Sequence, residues 1–178
     1  MRTRIMMALC MMLGLAACSK SATETLFNTQ ETNIDTFVDR YLQSNPDARV
    51  VYNKSVVRIV VAEGEGTELA KGGCATVFYA GYNFSGSAMN ASTLFATNNS
   101  DVAAASKWNI SDESVFAPAE MDLGDGLVEG LRLGMEGVRK GEECIILFSG
   151  KYGFGRQVGT IPANAALAYS INVQDIRN

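Results

Sequence analysis

Histidine is missing from all 178 residues, and that gap removes much of enzyme chemistry. Without an imidazole the chain has no histidine general base, no Ser-His or Cys-His nucleophile pair and no histidine-ligated metal. Neither a metal nor a cofactor is expected. Clustered positive charge is missing too. Lys and Arg number 15 against 19 Asp and Glu, a formal −4, and without residues 1–17 the 13 remaining bases leave −6. An acidic chain with no basic stretch has little with which to displace counterions from a phosphate backbone, so no nucleic-acid partner is expected. Apolar runs stop short of the roughly 18 residues from which a spanning helix is read. Tryptophan occurs once, at Trp108.

What is present fits one globular domain. The hydrophobic share is 47% and the charged share 19%, enough apolar material to bury a core at this length. Arg2 and Arg4 precede a short apolar run, Ile5 to Leu13, and then Leu15-Ala16-Ala17-Cys18. A basic start, a short apolar stretch and small residues make residues 1–17 an export signal. The Leu-Ala-Ala-Cys box resembles a lipobox, which implies that Cys18 becomes the first mature residue and carries lipid. Several acyl chains anchor stably, since each buried CH₂ contributes ~0.8 kcal/mol. The alternative is a soluble secreted protein cut after Ala17. The expected location is the cell envelope, with Ser19 fitting the outer membrane by analogy with lipoproteins, facing the periplasm or the surface.

Residues 18–30 are Ser/Thr-rich without apolar periodicity and read as a tether. Residues 31–46 hold a helix, with Asn33 as N-cap, Ile34, Phe37, Val38 and Tyr41 on one face, and Ser44-Asn45-Pro46-Asp47 as its stop. Such a helix either packs beside the main domain or self-associates. The main domain, 47–178, opens with a strand pair, Arg49–Tyr52 and Ser55–Ala62. Cys74–Tyr82 is a second long strand and Ala91–Ala96 its return. Near 98–117 lies an insertion in which Asn98-Asn99-Ser100 cap a short helix, Asp101–Lys107, before Trp108. It is either a loop outside any pocket or a flap that Trp108 helps to close.

The densest pattern runs from Asp122 to Gly155. Leu127, Val128, Leu131, Met135 and Val138 recur near helical spacing. Gly130 and Gly134 each cost that helix roughly 1 kcal/mol against alanine, so packing must hold it. Gly137 ends it, Arg139-Lys140-Gly141-Glu142 turns the chain, and Cys144, Ile146 and Phe148 alternate with Ile145 and Leu147 in a strand apolar on both faces. Ala166–Ile176 is the last strand, with Tyr169, Ile171 and Val173 sharing a face.

The order Leu123-Gly124, Leu127-Val128, Gly130-Leu131, Gly134-Met135, Gly141, strand, Tyr152-Gly153-Phe154-Gly155 resembles the FK506-binding-protein (FKBP) family of peptidyl-prolyl isomerases. Gly73–Tyr82 upstream and Ile161–Ile176 downstream fit the same template, so the resemblance covers about 64–176. It implies an α+β fold, an antiparallel twisted sheet wrapped around a short helix, here with an extra N-terminal helix. It also implies that Cys74 and Cys144 lie on strands several places apart, too far for a bridge at ~4.8 Å per strand, and stay free.

By the same resemblance a proline-binding pocket comprises Tyr79, Phe95, Val128, Phe154 and Tyr169 as catalytic residues, with Met121, Leu127, Leu131 and Ile161 binding substrate. Val128 offers its N–H to a substrate carbonyl, Leu131 floors the proline ring and Phe154 overhangs the rim. Ala96 stands where the family commonly carries an aspartate, Leu131 where it has tryptophan, Ala119 an aromatic wall and Phe154 a tyrosine. The implied function is a monomeric, lipid-anchored isomerase acting on proline-containing polypeptides, with weakened activity. The other readings are a non-catalytic FKBP-like module that binds peptides or a membrane partner, and a structural lipoprotein that assembles through its N-terminal helix.

Overall fold

In the computed structural model, which describes residues 2–86, 88–108 and 112–178 with side chains from 21 onward, the strand Glu143–Phe148 is apolar on both faces because it is covered on both. The elements run α1 (Arg2–Ser44), β1 (Arg49–Asn53), β2 (Val56–Ala62), β3 (Cys74–Asn83), β4 (Leu94–Thr97), α2 (Ser100–Ala105), β5 (Ala119–Asp122), α3 (Glu129–Met135), β6 (Glu143–Phe148) and β7 (Leu167–Arg177). Short 3-10 turns lie at Glu113–Phe116 and Gly150–Tyr152. The strands form one antiparallel sheet in the order β1-β2-β6-β7-β3-β4. β5 shares the outer edge of β3 with β4, pairing Cys74–Val77 while β4 pairs Ala80–Tyr82.

Alternation divides the side chains of each strand between two layers. On the front, Cys144, Ile146 and Phe148 of β6 join Leu167, Tyr169, Ile171 and Val173 of β7 and Ala75 and Val77 of β3 under α3. On the back, Ile145 and Leu147 of β6, Val57 and Ile59 of β2 and Ala168 of β7 meet Ile34 and Val38 of α1. The expected apolar face of that helix is therefore committed to its own sheet, and Phe37 adds an edge-on ring contact to Phe84 at 5.4 Å.

The tether reading is corrected. Residues 21–30 continue α1, and their threonines explain how. Thr25, Thr29, Thr32 and Thr36 recur at helical spacing, and each hydroxyl donates to the carbonyl four residues back at 2.9–3.0 Å. Composition suggested a solvated linker, whereas the spacing lets each hydroxyl bond to the helix itself. The signal segment and Cys18 lie outside the residues with described side chains. Among the described residues no helix is long and apolar enough to cross a membrane.

Three boundaries shift for local reasons. The return strand begins at Leu94 rather than Ala91, because Asn90 builds an Asx turn, its Oδ1 accepting from Ser92 N at 3.0 Å while Thr93 N donates to Asn90 O at 3.0 Å. The short helix ends at Ala105, and Lys107 takes a left-handed φ of 56° just beyond it. Its cap is Asn99 alone, whose side chain accepts from Asp101 N and Val102 N. Cys74 and Cys144 are free. Only β7 separates their strands, not several, but Cys74 pairs with Arg177 and Cys144 with Ile171, which also separates them along the strands. Burial pushes the Cys144 thiol well up from its ordinary range, so it is an inert core residue.

Candidate active site

The two glycines of α3 let the helix lie directly on β6. A Cβ on Gly130 would sit 2.3 Å from the Phe148 ring, and one on Gly134 would sit 2.2 Å from Ile146 Cγ2. One helical turn apart, they make a flat face on the helix. That close seat places Leu131, 4% exposed, in the front core, with Leu127 and Val128 half-buried just ahead of the helix. The approach to α3 is set by Asp122, whose Oδ1 accepts from Gly124 N at 2.7 Å, and by Gly126 at φ 81°. Val128 is the N-cap, extended at φ −60° and ψ 140°.

A second seat is made by Gly81. In β3 it pairs with Tyr169 on β7 and with Ala96 on β4. The register of β4 slips by one residue between Ala96 and Leu94, so Phe95 is the extra residue of a bulge, a device that re-aims a side chain. Its ring packs edge-on against Tyr169, with centroids 5.7 Å apart at 83°. A Cβ on Gly81 would meet Phe95 at 2.7 Å and Tyr169 at 3.0 Å, so the aromatic corner needs glycine beneath it. Tyr169 also stacks on Phe148 at 6.0 Å and 14°.

The residues assigned from resemblance all belong to the front core or pack against it. Met121, Leu131, Ile161 and Tyr169 are buried in the front core, and Tyr79, Phe95, Leu127, Val128 and Phe154 pack against it while staying half-exposed. The lining is apolar apart from the two phenols, and burial, reinforced by Tyr79, pushes the Tyr169 phenol well up, so it stays neutral at ordinary pH. Phe154 and Ile161 ride on the loop between β6 and β7, where Val158 and Ile161 form an isolated two-residue bridge.

The insertion is tied to the site from behind. Asn98 is 4% exposed, and its side chain accepts from Tyr79 N at 2.6 Å while donating to Val77 O and Ala117 O, both at 3.0 Å. It clamps the two ends of the insertion to the strand that carries Tyr79. Asn99 and Val102 line a small cavity with Phe78, Tyr79, Ala80, Ser170 and Asn172. Trp108 N donates to Ala103 O of α2 at 3.0 Å, which ties the segment after the helix back to it.

Sequence reasoning missed the group that fixes the far end of α3. Arg58, on β2, donates through Nη1 to Gly134 O at 3.0 Å and to Glu136 O at 2.8 Å. Its Nε lies 3.3 Å from Oε1 of Glu142, with side-chain exposures of 6% and 1%. A single arginine inside Val-Val-Arg-Ile-Val-Val was the available signal, because a charge in a buried strand needs partners.

The model of FKBP-type peptidyl-prolyl cis-trans isomerases matches residues 68–174, more than half of the chain. No curated sequence matches significantly. Among solved structures, FkpA from Escherichia coli is similar with a TM-score of 0.58 and 14% identity, covering 96% of this chain and 70% of that one. A peptidyl-prolyl cis-trans isomerase from Pseudomonas syringae pv. tomato gives 0.59 and 13%, covering 88% and 96%. The N-terminal domain of FKBP42 from Arabidopsis thaliana gives 0.54 and 16%, covering 73% and 93%. Taken with an antiparallel sheet folded over a short helix, the match is conclusive: the chain belongs to the FKBP-type peptidyl-prolyl cis-trans isomerase family.

Proposed function

We propose that this protein is a peptidyl-prolyl isomerase that assists the folding of exported polypeptides, held at the cell envelope by lipid on Cys18. The observation that supports the catalytic part is that Tyr79, Phe95, Val128 and Phe154 pack, half-exposed, against the same buried apolar cluster that holds Met121, Leu131, Ile161 and Tyr169. Prolyl isomerisation transfers no group. It is rotation about a C–N bond against ~18–20 kcal/mol, taking roughly 10–100 s unaided. Reaching milliseconds requires lowering the barrier by about 5–6 kcal/mol.

A dry cleft acts on that barrier because the planar amide carries more charge separation than the twisted one, so moving it out of water favours the twist. Leu131 supports the proline ring, and Phe95 and Tyr169 wall it. The Val128 N–H, bonded to no acceptor among the described residues, holds a substrate carbonyl while the bond turns. No proton moves, in keeping with a chain that has no histidine. The test is proline-limited refolding of a reporter protein. A rate that rises with micromolar additions supports the enzyme, and peptide binding without acceleration supports the non-catalytic module instead.

Phe154 lacks the hydroxyl that the family's usual tyrosine gives to the substrate amide, and Ala96 lacks a carboxylate, so the activity falls below that of a complete site. Phe154→Tyr combined with Ala96→Asp is expected to raise kcat/KM about 2- to 10-fold, the worth of one added hydrogen bond. A flat or falling rate would count against the assignment of these two positions. The anchor rests on Leu15-Ala16-Ala17-Cys18. Cys18→Ser should move the protein from the membrane fraction to the soluble one, and unchanged fractionation would remove the lipid from the account.

A further inference from the structure

We infer that Gln30, on the back-face helix α1, is a positioning residue for the rim of the cleft on the opposite face of the sheet, acting through Asn164 on Phe154. Its side-chain amide makes two hydrogen bonds at once. Oε1 accepts from Gly150 N at 2.8 Å, and Nε2 donates to Asn164 O at 2.9 Å. Only this orientation of the amide serves both groups, because one is a donor and the other an acceptor. The two partners lie 120 and 134 residues away in sequence, at the two ends of the loop that carries Phe154 and Ile161.

Asn164 is built to pass the constraint on. It takes a left-handed φ of 59°, which asparagine tolerates better than most residues. Its N–H donates to Phe154 O at 2.8 Å while its own carbonyl takes the Gln30 bond. One residue therefore links the rim ring's backbone to α1. The loop ends are pressed together at the same place: a Cβ on Gly150 would fall 2.1 Å from Asn164 O. Next to Gln30, Glu31 Oε1 accepts from the hydroxyl of the buried Ser149 at 3.1 Å. Ile34 and Val38 already seat the helix on the sheet by apolar contact, so Gln30 is free for a different job, fixing the base of a loop that otherwise bonds mainly to itself.

The inference rests on the cleft being the isomerase site, and the test separates the two. In the full chain, Gln30→Ala should speed amide hydrogen exchange at Gly150 and Asn164 about tenfold, a hydrogen bond's worth of local opening, while β7 amides keep their rates. The KM for a proline peptide, or its dissociation constant by NMR titration if the wild type proves inactive, should rise about fivefold with kcat within about twofold, since a looser Phe154 weakens binding more than bond rotation. Gln30→Glu keeps the acceptor and loses the donor, so Gly150 should stay slow, whereas Asn164, whose carbonyl loses its bond and whose N–H is then held by Phe154 O alone, should exchange faster. Unchanged exchange at both amides, a uniform rise across the sheet, or unchanged peptide affinity despite faster exchange would each overturn the proposal. An inactive wild type whose Gln30→Ala variant shows the local exchange and affinity changes would remove the enzyme reading and leave the positioning role intact.

Discussion

Arg58→Ala is expected to destabilise the protein by about 3–5 kcal/mol at pH 7, the range for removing one member of a buried ion pair. Three groups lose their partner together: the carbonyls of Gly134 and Glu136 at the end of α3, which accept from Nη1 at 3.0 and 2.8 Å, and the Glu142 carboxylate 3.3 Å from Nε. Glu142 keeps Arg139 N, which donates to its Oε2 at 3.3 Å. Burial already holds the Glu142 carboxyl above the usual range even though Arg58 opposes it, and without Arg58 it rises further. A carboxyl whose folded pKa exceeds its unfolded one contributes stability below the unfolded value and loses it as pH climbs through the folded value. The deficit of Arg58→Ala should therefore be smaller near pH 4 than at pH 7. Urea unfolding at both values checks the sign, and a loss under about 1 kcal/mol at pH 7, or one that shrinks as pH rises, would contradict it. Arg58→Met with Glu142→Leu should recover most of the loss, because the uncompensated charge goes too.

Gly130→Ala sets two effects against each other. Helix propensity alone favours alanine by about 1 kcal/mol. Packing opposes it, since the new methyl would sit 2.3 Å from Cγ and Cδ2 of Phe148, a fully buried ring also stacked on Tyr169. Overpacking of this kind costs typically 1–3 kcal/mol and occasionally more, and the clash here leaves no room for a small adjustment. Packing wins. The melting temperature should fall by several degrees, at about 2–4 °C per kcal/mol for a chain of this size. Isomerase activity should fall at least tenfold, because α3 must lift off β6 and carry Leu131 and Val128 out of place. Gly134→Ala, with Ile146 Cγ2 at 2.2 Å, should behave alike. A variant with an unchanged or higher melting temperature would show that α3 does not rest on these glycines.

The residues themselves carried much of this fold in readable form. A strand with Cys144, Ile146 and Phe148 on one side and Ile145 and Leu147 on the other demands cover on both faces, and α3 and α1 supply it. Glycines at 130 and 134 in a seven-residue helix demand packing to hold it, although nothing local names Phe148 and Ile146 as the surfaces they fit. The cleft residues came from the order of motifs, since each alone reads as core. Pairings across long stretches of chain were out of reach. Gln30 with Asn164, Arg58 with Glu142 and Phe95 lying over Gly81 depend on which strands become neighbours, and local spacing does not encode that. Adjacent identical residues hid different roles: Asn99 caps α2, while Asn98 is a buried clamp on the strand carrying Tyr79. The threonines of α1 resemble a linker by composition, whereas their three- and four-residue spacing suits a helix whose carbonyls their hydroxyls bond.

Cis–trans exchange of a short proline peptide, followed by NMR with the purified protein present, tests the cleft most directly. Interconversion should rise above its unaided rate of roughly once in 10–100 s, saturate with peptide, and shift protein signals at Tyr79, Leu131, Phe154 and Tyr169. A peptide that exchanges at its unaided rate and leaves those signals unmoved would contradict the account.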